Sequence, residues 1–297
     1  MSLPQNRYRS IFRPGLFEGR SVVVTGGGSG IGRCTAHELA ALGARVALIG
    51  RTREKLENVA REIGQIGGSA TIHPLDIRDE EAVKAGVDAI LTEHGRIDGL
   101  VNNAGGQFPA PLEKISLRGW EAVVRNNLTG GFLMSREIYT RWMQQHGGSI
   151  VNIIADMWGG MPTMGHSGAA RAGMLNFTET AACEWGPQGV RVNAVAPGWI
   201  ASSGLDTYDE AMQADLRRLH GVVPIRRFGT ESEVSAAIVY LLSEAANFIT
   251  GSCIRIDGGV PNARHTWKTG SPAQRSAAIE AFDGFHLASR PRALDGL

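Results

Sequence analysis

The run Val22-Val23-Val24-Thr25 passes directly into Gly26-Gly27-Gly28-Ser29-Gly30-Ile31-Gly32, and a helical pattern follows. Few local patterns constrain a fold more. A glycine-rich turn between a strand and a helix lets backbone N–H groups and the helix N-terminus approach a pyrophosphate. Such a turn is a weak signal alone and a much stronger one in strand–turn–helix context. The chain should therefore hold a dinucleotide at the carboxyl end of a buried first strand.

The rest of the sequence supplies a sheet around that strand. Apolar runs at 21–25, 45–49, 70–75, 99–101, 149–154, 190–196 and 253–256 are continuous rather than alternating, as strands buried on both faces are. Amphipathic stretches lie between them at 53–66, 80–94, 117–145 and 231–243. Asp79 is a helix start signal, and Thr230 with Glu233 reads as a capping box. Alternation at this spacing gives right-handed βαβ units and one parallel sheet covered on both sides. With 297 residues and 43% hydrophobic content, the chain can bury one large core. No repeat or linker divides it, so we expect one α/β domain over 20–259. A short N-terminal extension (1–19) and a longer C-terminal one (260–297) fall outside the alternation. The latter carries His265, Trp267, Phe282 and Phe285 and should pack on this chain or on a neighbouring subunit.

Composition excludes several classes. Thirty Lys and Arg against 29 Asp and Glu leave a formal charge of +1, with no overall bias towards nucleic acid or an anionic membrane. No stretch reaches the roughly 18 apolar residues that span a bilayer. Cys34, Cys183 and Cys253 are widely separated, without C-x-x-C. We expect reduced core thiols in a cytoplasmic protein, and no metal site.

The spacing Gly26-x3-Gly30-x-Gly32 resembles that of short-chain dehydrogenases/reductases, and other motifs of that family follow in order along almost the whole chain. Asp76-Ile77 resembles the pair that touches adenine, and Asn102-Asn103-Ala104-Gly105 the segment that shapes the cofactor floor. Asn127, in Asn126-Asn127-Leu128-Thr129-Gly130, matches the family's helix asparagine. Pro197-Gly198-Trp199-Ile200 resembles the turn that meets the nicotinamide, and Asp257-Gly258-Gly259 the closing motif. The resemblance implies a Rossmann-type, doubly wound parallel sheet. It implies cofactor contacts from Gly26, Ser29, Gly30, Ile31 and Gly32 in the first turn, then Asp76, Ile77, Asn103, Ala104 and Gly105, and finally Pro197, Gly198 and Ile200.

Charge argues for the cofactor. A carboxylate ending the second strand would grip the ribose 2′-hydroxyl of NAD and repel a phosphate. This chain reads Ile49-Gly50-Arg51-Thr52-Arg53 there. Arg51 and Arg53 can hold a 2′-phosphate by paired charged hydrogen bonds, which favours NADP over NAD. If Arg53 is only a solvated helix-start residue, Arg51 acts alone.

At the catalytic end the chain departs from the family, whose ordinary site is Ser followed by Tyr-x-x-x-Lys. Aligning Ala170-Arg171-Ala172-Gly173 on the lysine segment puts Arg171 at the Lys position and Ser167 at the Tyr position. Ile154 or Ala155 replaces the Ser, and Asn127 remains. A serine hydroxyl is too weak an acid to replace a tuned phenol, though it can donate a hydrogen bond. Arginine can contact ribose hydroxyls but does not relay protons. Carbonyl reduction builds an alkoxide that needs a poised acid. Reduction of an α,β-unsaturated thioester instead sends hydride to the β-carbon and asks for hydrogen-bond donors at the thioester oxygen. Its proton goes to carbon, from a histidine or a water.

His166-Ser167-Gly168-Ala169-Ala170-Arg171-Ala172-Gly173 resembles the active-site segment of peroxisomal trans-2-enoyl-CoA reductases. Asn103-Ala104-Gly105-Gly106-Gln107-Phe108 and Phe12-Arg13-Pro14-Gly15-Leu16 resemble that branch too. The related 2,4-dienoyl-CoA reductases also lack the Tyr but keep a Lys. Asp156-Met157-Trp158-Gly159-Gly160-Met161 is instead similar to bacterial citronellol/citronellal dehydrogenases, and the ending Asp295-Gly296-Leu297 is not a peroxisomal address.

These resemblances imply an NADP-dependent enoyl-CoA reductase, with a terpenoid alcohol dehydrogenase or a non-catalytic NADP-binding protein as alternatives. The catalytic candidates are Asn127, Ser167 and Arg171, with His166 as proton donor and Asp156 orienting His166 or a water. Arg171 would also contact the cofactor ribose. Gln107, Phe108, Met157, Trp158, Met161, Met164 and Trp199 read as an apolar acyl or terpenoid pocket, since an open α/β sheet binds ligands at its strands' carboxyl ends. Trp120 and Trp142 read as packing or subunit contacts. Family analogy implies a homotetramer built through 117–145 and 168–184.

Overall fold

The computed structural model describes residues 7–207, 210, 213, 216, 221–260 and 279–295, so His265 and Trp267 lie outside the described residues. The apolar runs form a seven-stranded parallel sheet in the order β3-β2-β1-β4-β5-β6-β9. Its strands are β1 (Ser21–Thr25), β2 (Arg45–Gly50), β3 (Ser69–Pro74), β4 (Gly99–Asn102), β5 (Gly148–Ile153), β6 (Val190–Pro197) and β9 (Cys253–Ile256). A two-residue pair, β7 (Ile200–Ala201) with β8 (Gly229–Thr230), stands beside it and was not readable as strand in the sequence. The strand order reverses between β1 and β4, where a crevice opens at the carboxyl ends. Thr25 pairs with Ile49 and Val24 with Val101, so Gly26, Gly50 and Asn103 leave the sheet side by side.

Both faces are covered. On one, α1 (Gly30–Ala41), α2 (Arg53–Gln65) and α8 (Glu231–Leu242) bury Leu39, Leu48, Leu56, Ile63 and Ile238. On the other, α3 (Glu80–His94) and α5 (Gly130–Ile138) bury Ile90, Leu100, Met134 and Ile138. Each such side chain contributes on the order of 1.5–3 kcal/mol by leaving water. The start signals are used: Asp79 accepts from the N–H groups of Glu81 and Ala82, and Thr230 forms its capping box with Glu233.

The stretch 117–145 is not one regular helix. It is α4 (Leu117–Val124), a π turn at Arg125–Thr129, α5, a second π turn at Tyr139–Met143, and α6 (Gln144–His146). Each π turn takes one extra residue without leaving helical backbone, so apolar periodicity hides it. After the first turn Gly130 meets Ile77, where an added Cβ would stand 2.6 Å from the isoleucine Cδ1. The 21-residue α7 (Gly165–Trp185) follows β5.

The described parts of both terminal extensions, residues 7–19 and 279–295, pack on this chain. Tyr8 and Phe285 are buried around Cys34, and Arg9 N–H donates to the Gly284 carbonyl at 2.8 Å. Tyr8, Ser10 and Ser235 all donate to the buried Glu38 carboxylate on α1. The three cysteines are free thiols, but only Cys34 is fully buried. Cys183, expected in the core, is exposed because α7 turns Met174, Thr178, Ala181 and Ala182 inward and leaves Cys183 off that face. No helix among the described residues is long and apolar enough to cross a membrane.

Candidate active site

The glycine turn is shaped from within. Gly26 has φ +67°, and a Cβ there would stand 3.0 Å from the Ala104 Cα. A Cβ on Gly32 would collide with the Gly26 carbonyl and the Asn103 amide. Asn103 Nδ2 donates to the carbonyls of Thr25 and Gly26, while Thr25 Oγ1 accepts from the N–H groups of Asn103 and Ala104. Asn103 and Gly32 thus hold the turn's shape, and Thr25 is a supporting residue that sequence reasoning missed. Ser29 opens α1 without using its hydroxyl as a cap.

A cavity of about 280 Å³ lies over this turn. Its walls include Gly26, Ser29 and Ile31, the pair Asp76 and Ile77, and Asn103, Ala104 and Gly105. Arg51 lines it, joined by Lys55 from the first turn of α2. Arg53 does not: its side chain is 64% exposed and pairs with Glu57 at 3.7 Å. Helical geometry turns position 55 towards the glycine turn and position 53 away, which a reading of charges in order did not resolve. Asp76 is gripped by Arg78, whose Nε lies 2.9 and 3.0 Å from its carboxylate oxygens. Those bonds, with Arg51 nearby, hold the carboxyl below its usual range.

The turn expected at the nicotinamide lies outside that cavity wall. Gly198 N–H donates to the Ile256 carbonyl at 2.9 Å, and a Cβ on Gly198 would stand 2.7 Å from the Asp257 Cα. Pro197 ends β6, and Ile200 is a buried core residue.

The catalytic candidates do gather. Asn127 sits within the first π turn, buried; its Nδ2 donates to the Gly106 carbonyl at 2.8 Å, and Gly106 N–H donates back to its Oδ1 at 2.9 Å. That exchange fixes the loop carrying Gly105 and Gln107. Ser167 is buried in the first turn of α7 and donates to Gln107 Oε1 at 2.6 Å. Gln107, read only as pocket lining, is therefore the partner of the Tyr-position serine. Arg171, one turn later, donates through Nη1 to the Ile153 carbonyl at 2.6 Å, while its buried Nε has no partner among the described residues. A methyl on Gly105 would come within 2.8 Å of both Asn127 Oδ1 and Arg171 Nη2, so loop, asparagine and guanidinium converge. Burial lowers Arg171 to about 10, which leaves it a cation at neutral pH.

His166 is fully buried with its ring edge-on to Phe108, centroids 4.5 Å apart. Its Nδ1 lies 2.9 Å from the Ser167 N–H, which also donates to the Met164 carbonyl at 2.9 Å, and its buried Nε2 has no partner among the described residues. Asp156 is not on His166. It lies with Asp257 and Arg255 beside the Pro197 turn, its N–H donating to the Pro197 carbonyl. Burial, and secondarily Asp257, pushes its carboxyl up against the opposing pull of Arg255.

The apolar candidates scatter. Met157 joins a core cluster with Ile154 and Met174, and Trp199 packs with Leu205 and Leu294. Trp158 is 38% exposed and stacks under the Arg255 guanidinium at 5.5 Å. Met161 abuts Gly168, and Met164 is buried at the start of α7. Among the described residues Gln107 and Phe108 reach Ser167 and His166 through their side chains, and Met164 reaches Ser167 through its carbonyl, which accepts the serine N–H at 2.9 Å. The loop methionines and tryptophans found core and tail surfaces that the sequence did not show.

A doubly wound sheet, a glycine cradle and a polar site at the start of α7 define a nicotinamide-dependent oxidoreductase. The family model described as Enoyl-(Acyl carrier protein) reductase matches residues 26–261, and the chain belongs to this short-chain dehydrogenase/reductase family. A relative from Bacillus subtilis (strain 168), "Probable 2,4-dienoyl-CoA reductase [(2E)-enoyl-CoA-producing]", is 39% identical over 82% of this chain and 96% of its own. A solved structure of the "citronellol catabolism dehydrogenase (AtuB)" of Pseudomonas aeruginosa PAO1 is 62% identical, covers 86% of this chain and 100% of its own, and has a TM-score of 0.78. A gluconate 5-dehydrogenase structure from Beutenbergia cavernae, described as putative and with bound NADP, is 35% identical over 84% of this chain and 100% of its own, with a TM-score of 0.78.

Proposed function

We propose that the chain is an NADP-dependent reductase that adds hydride to the conjugated double bond of an apolar enoyl thioester. The carrying observation is the 2.6 Å Ser167–Gln107 hydrogen bond where carbonyl-reducing members of the family hold a tyrosine. That pair can donate to an oxygen on which charge develops, but it cannot supply an acid to an alkoxide. The residues present suit the cofactor: the glycine turn, packed tightly on Asn103 and Ala104, walls the cavity together with Arg51 and Lys55, and beyond it Arg171 Nε is a buried donor with no partner among the described residues. Arg51 and Lys55 would hold the 2′-phosphate, and Arg171 the nicotinamide ribose. Bound NADPH supplies the hydride.

The chain's own residues do the rest. Asn127 holds the Gly105–Gln107 loop, Ser167 gives up its bond to Gln107 Oε1 and turns its one hydroxyl proton to the thioester oxygen as charge develops there, and the Arg171 cation adds favourable potential. Asp156, with its raised carboxyl, delivers the proton to the α-carbon, directly or through water.

The 62% identical citronellol catabolism dehydrogenase favours a second reading, oxidation or reduction of a terpenoid alcohol or aldehyde. Both readings need an apolar chain; they differ in whether hydride meets carbon–carbon or carbon–oxygen unsaturation. NADPH oxidation with a medium-chain trans-2-enoyl-CoA, against citronellal in a matched assay, separates them. Thioester turnover supports the first reading, and turnover of citronellal alone replaces it with the second. We further propose a cytoplasmic homotetramer; Leu117 and Phe132 stay exposed on the α4–α5 face that would pair, and light scattering tests the assembly.

A further inference from the structure

On the sheet face covered by α3, Val23, Ala47 and Ile49 are buried in an apolar core. Strand alternation puts Ser21, Arg45, Thr71 and His73 on that same face. These polar residues meet the last turn of α3, which ends in Glu93 and His94. His94 Nδ1 is 2.7 Å from Ser21 Oγ, and its Nε2 is 2.9 Å from Thr71 Oγ1. The same Thr71 oxygen is 2.9 Å from His73 Nε2, and Glu93 Oε2 is 3.7 Å from that nitrogen. One ligand atom from each of His73, Glu93 and His94 lies within 4.8 Å of the other two.

We propose that His73, Glu93 and His94 bind one zinc-class divalent cation, which staples the edge strand β3 to the end of α3. Two imidazoles and a carboxylate suit such an ion and leave a fourth position for water. Ser21 can supply the outer partner that metal-bound histidines ordinarily have: with the ring proton on Nδ1, that N–H donates to the Ser21 hydroxyl and the Nε2 lone pair faces the cluster. Thr71 has a single hydroxyl proton and can satisfy only one of the two Nε2 atoms as an acceptor. A cation satisfies both and leaves the Thr71 oxygen beside its water.

Tetrahedral bonds of about 2.0–2.1 Å need the ligand atoms about 3.4 Å apart, so the group must close by roughly an ångström. Glu93 can supply that movement, because its side chain is 47% exposed at a helix end, where an ion can also enter. Arg45 competes: its Nη2 lies 3.7 Å from the Glu93 carboxylate, and Nη1 donates to the Glu93 carbonyl. Binding must swing that guanidinium away. The site is therefore tuned by a cation the chain itself carries.

The test is calorimetric titration of the full-length protein with zinc, paired with thermal unfolding and with the visible absorption of added cobalt(II). One saturable equivalent and a raised Tm are expected. Glu93→Gln, a surface change that leaves the fold intact, and His73→Gln should each weaken binding by at least about tenfold, whereas Arg45→Gln should tighten it. Absence of saturable zinc binding overturns the proposal. So does unchanged affinity in both Glu93→Gln and His73→Gln, which would put the ion elsewhere, for instance on the exposed Cys183 thiol.

Discussion

Replacing Ser167 by Ala removes one oxygen from a fully buried position and ends the 2.6 Å hydrogen bond to Gln107. Two costs follow, and they are read separately. The part-buried Gln107 carbonyl loses a donor, worth about 0.5–1.5 kcal/mol of stability, the net value of an ordinary hydrogen bond. At about 2–4 °C per kcal/mol in a chain of this size, that lowers Tm by a few degrees. The second cost is chemical. If the hydroxyl meets charge developing on the thioester oxygen, kcat falls about a hundred- to a thousandfold, as loss of one oxyanion donor does elsewhere. NADPH affinity should hardly move, because the change leaves Arg51 and Lys55 on the cavity wall and the Arg171 bond to the Ile153 carbonyl in place. Stopped-flow oxidation of NADPH with enoyl-CoA, alongside fluorescence titration of NADPH, reads both quantities. Gln107→Leu should match the loss, and the double variant should cost little more, since the two act as a unit. A Ser167→Ala enzyme with kcat within about threefold of wild type, far short of the loss expected of an oxyanion donor, would refute the reasoning and leave the pair a structural clasp.

Cofactor choice can be tested at three cations. Arg51→Ala and Lys55→Ala should each weaken NADPH about tenfold or more with little effect on NADH, since a charge-assisted hydrogen bond is worth about 1.5–3 kcal/mol. Arg53→Ala should change neither affinity, because that side chain faces solvent with Glu57. For Asp156, burial and the neighbouring Asp257 raise the carboxyl, so a proton-donating Asp156 acts below its raised pKa, and kcat declines as pH climbs through it. Asp156→Asn should remove that alkaline limb from the pH profile along with most of the rate; a limb that survives assigns it to another group. Stability should respond in the opposite sense at His37, which burial lowers to about 4 against an ordinary 6.5. The folded state then binds fewer protons than the unfolded one, so the contribution is complete above pH 6.5 and is lost towards pH 4. That loss is on the order of 3 kcal/mol for this enclosed ring. Urea midpoints across that window should fall less steeply in His37→Gln, and an unchanged slope would contradict the assignment.

Much of the molecule is written locally. The glycine cradle, the alternation of buried strands with amphipathic helices, the Asp79 cap and the Thr230–Glu233 box all depend on neighbours within a few residues. Steric freedom at Gly26, the apolar faces and the caps are therefore legible from the chain itself, and they define the sheet and its cofactor end. The tertiary structure decided what lies far apart in sequence. It chose Lys55 over Arg53 beside Arg51 and tied Gln107 to Ser167 across 60 positions. It placed Asp156 with Asp257 rather than His166, and it gathered His73 and His94 around one hydroxyl. It also sent Met157 and Trp199 into packing and left Cys183 in solvent. The physical reason is one of range. Backbone preference and hydrophobic periodicity act over a turn or a strand, whereas a side chain's partner is set by how whole helices seat on the sheet. A π turn that shifts Asn127 by one residue leaves no trace in composition, yet it decides which loop that asparagine can hold.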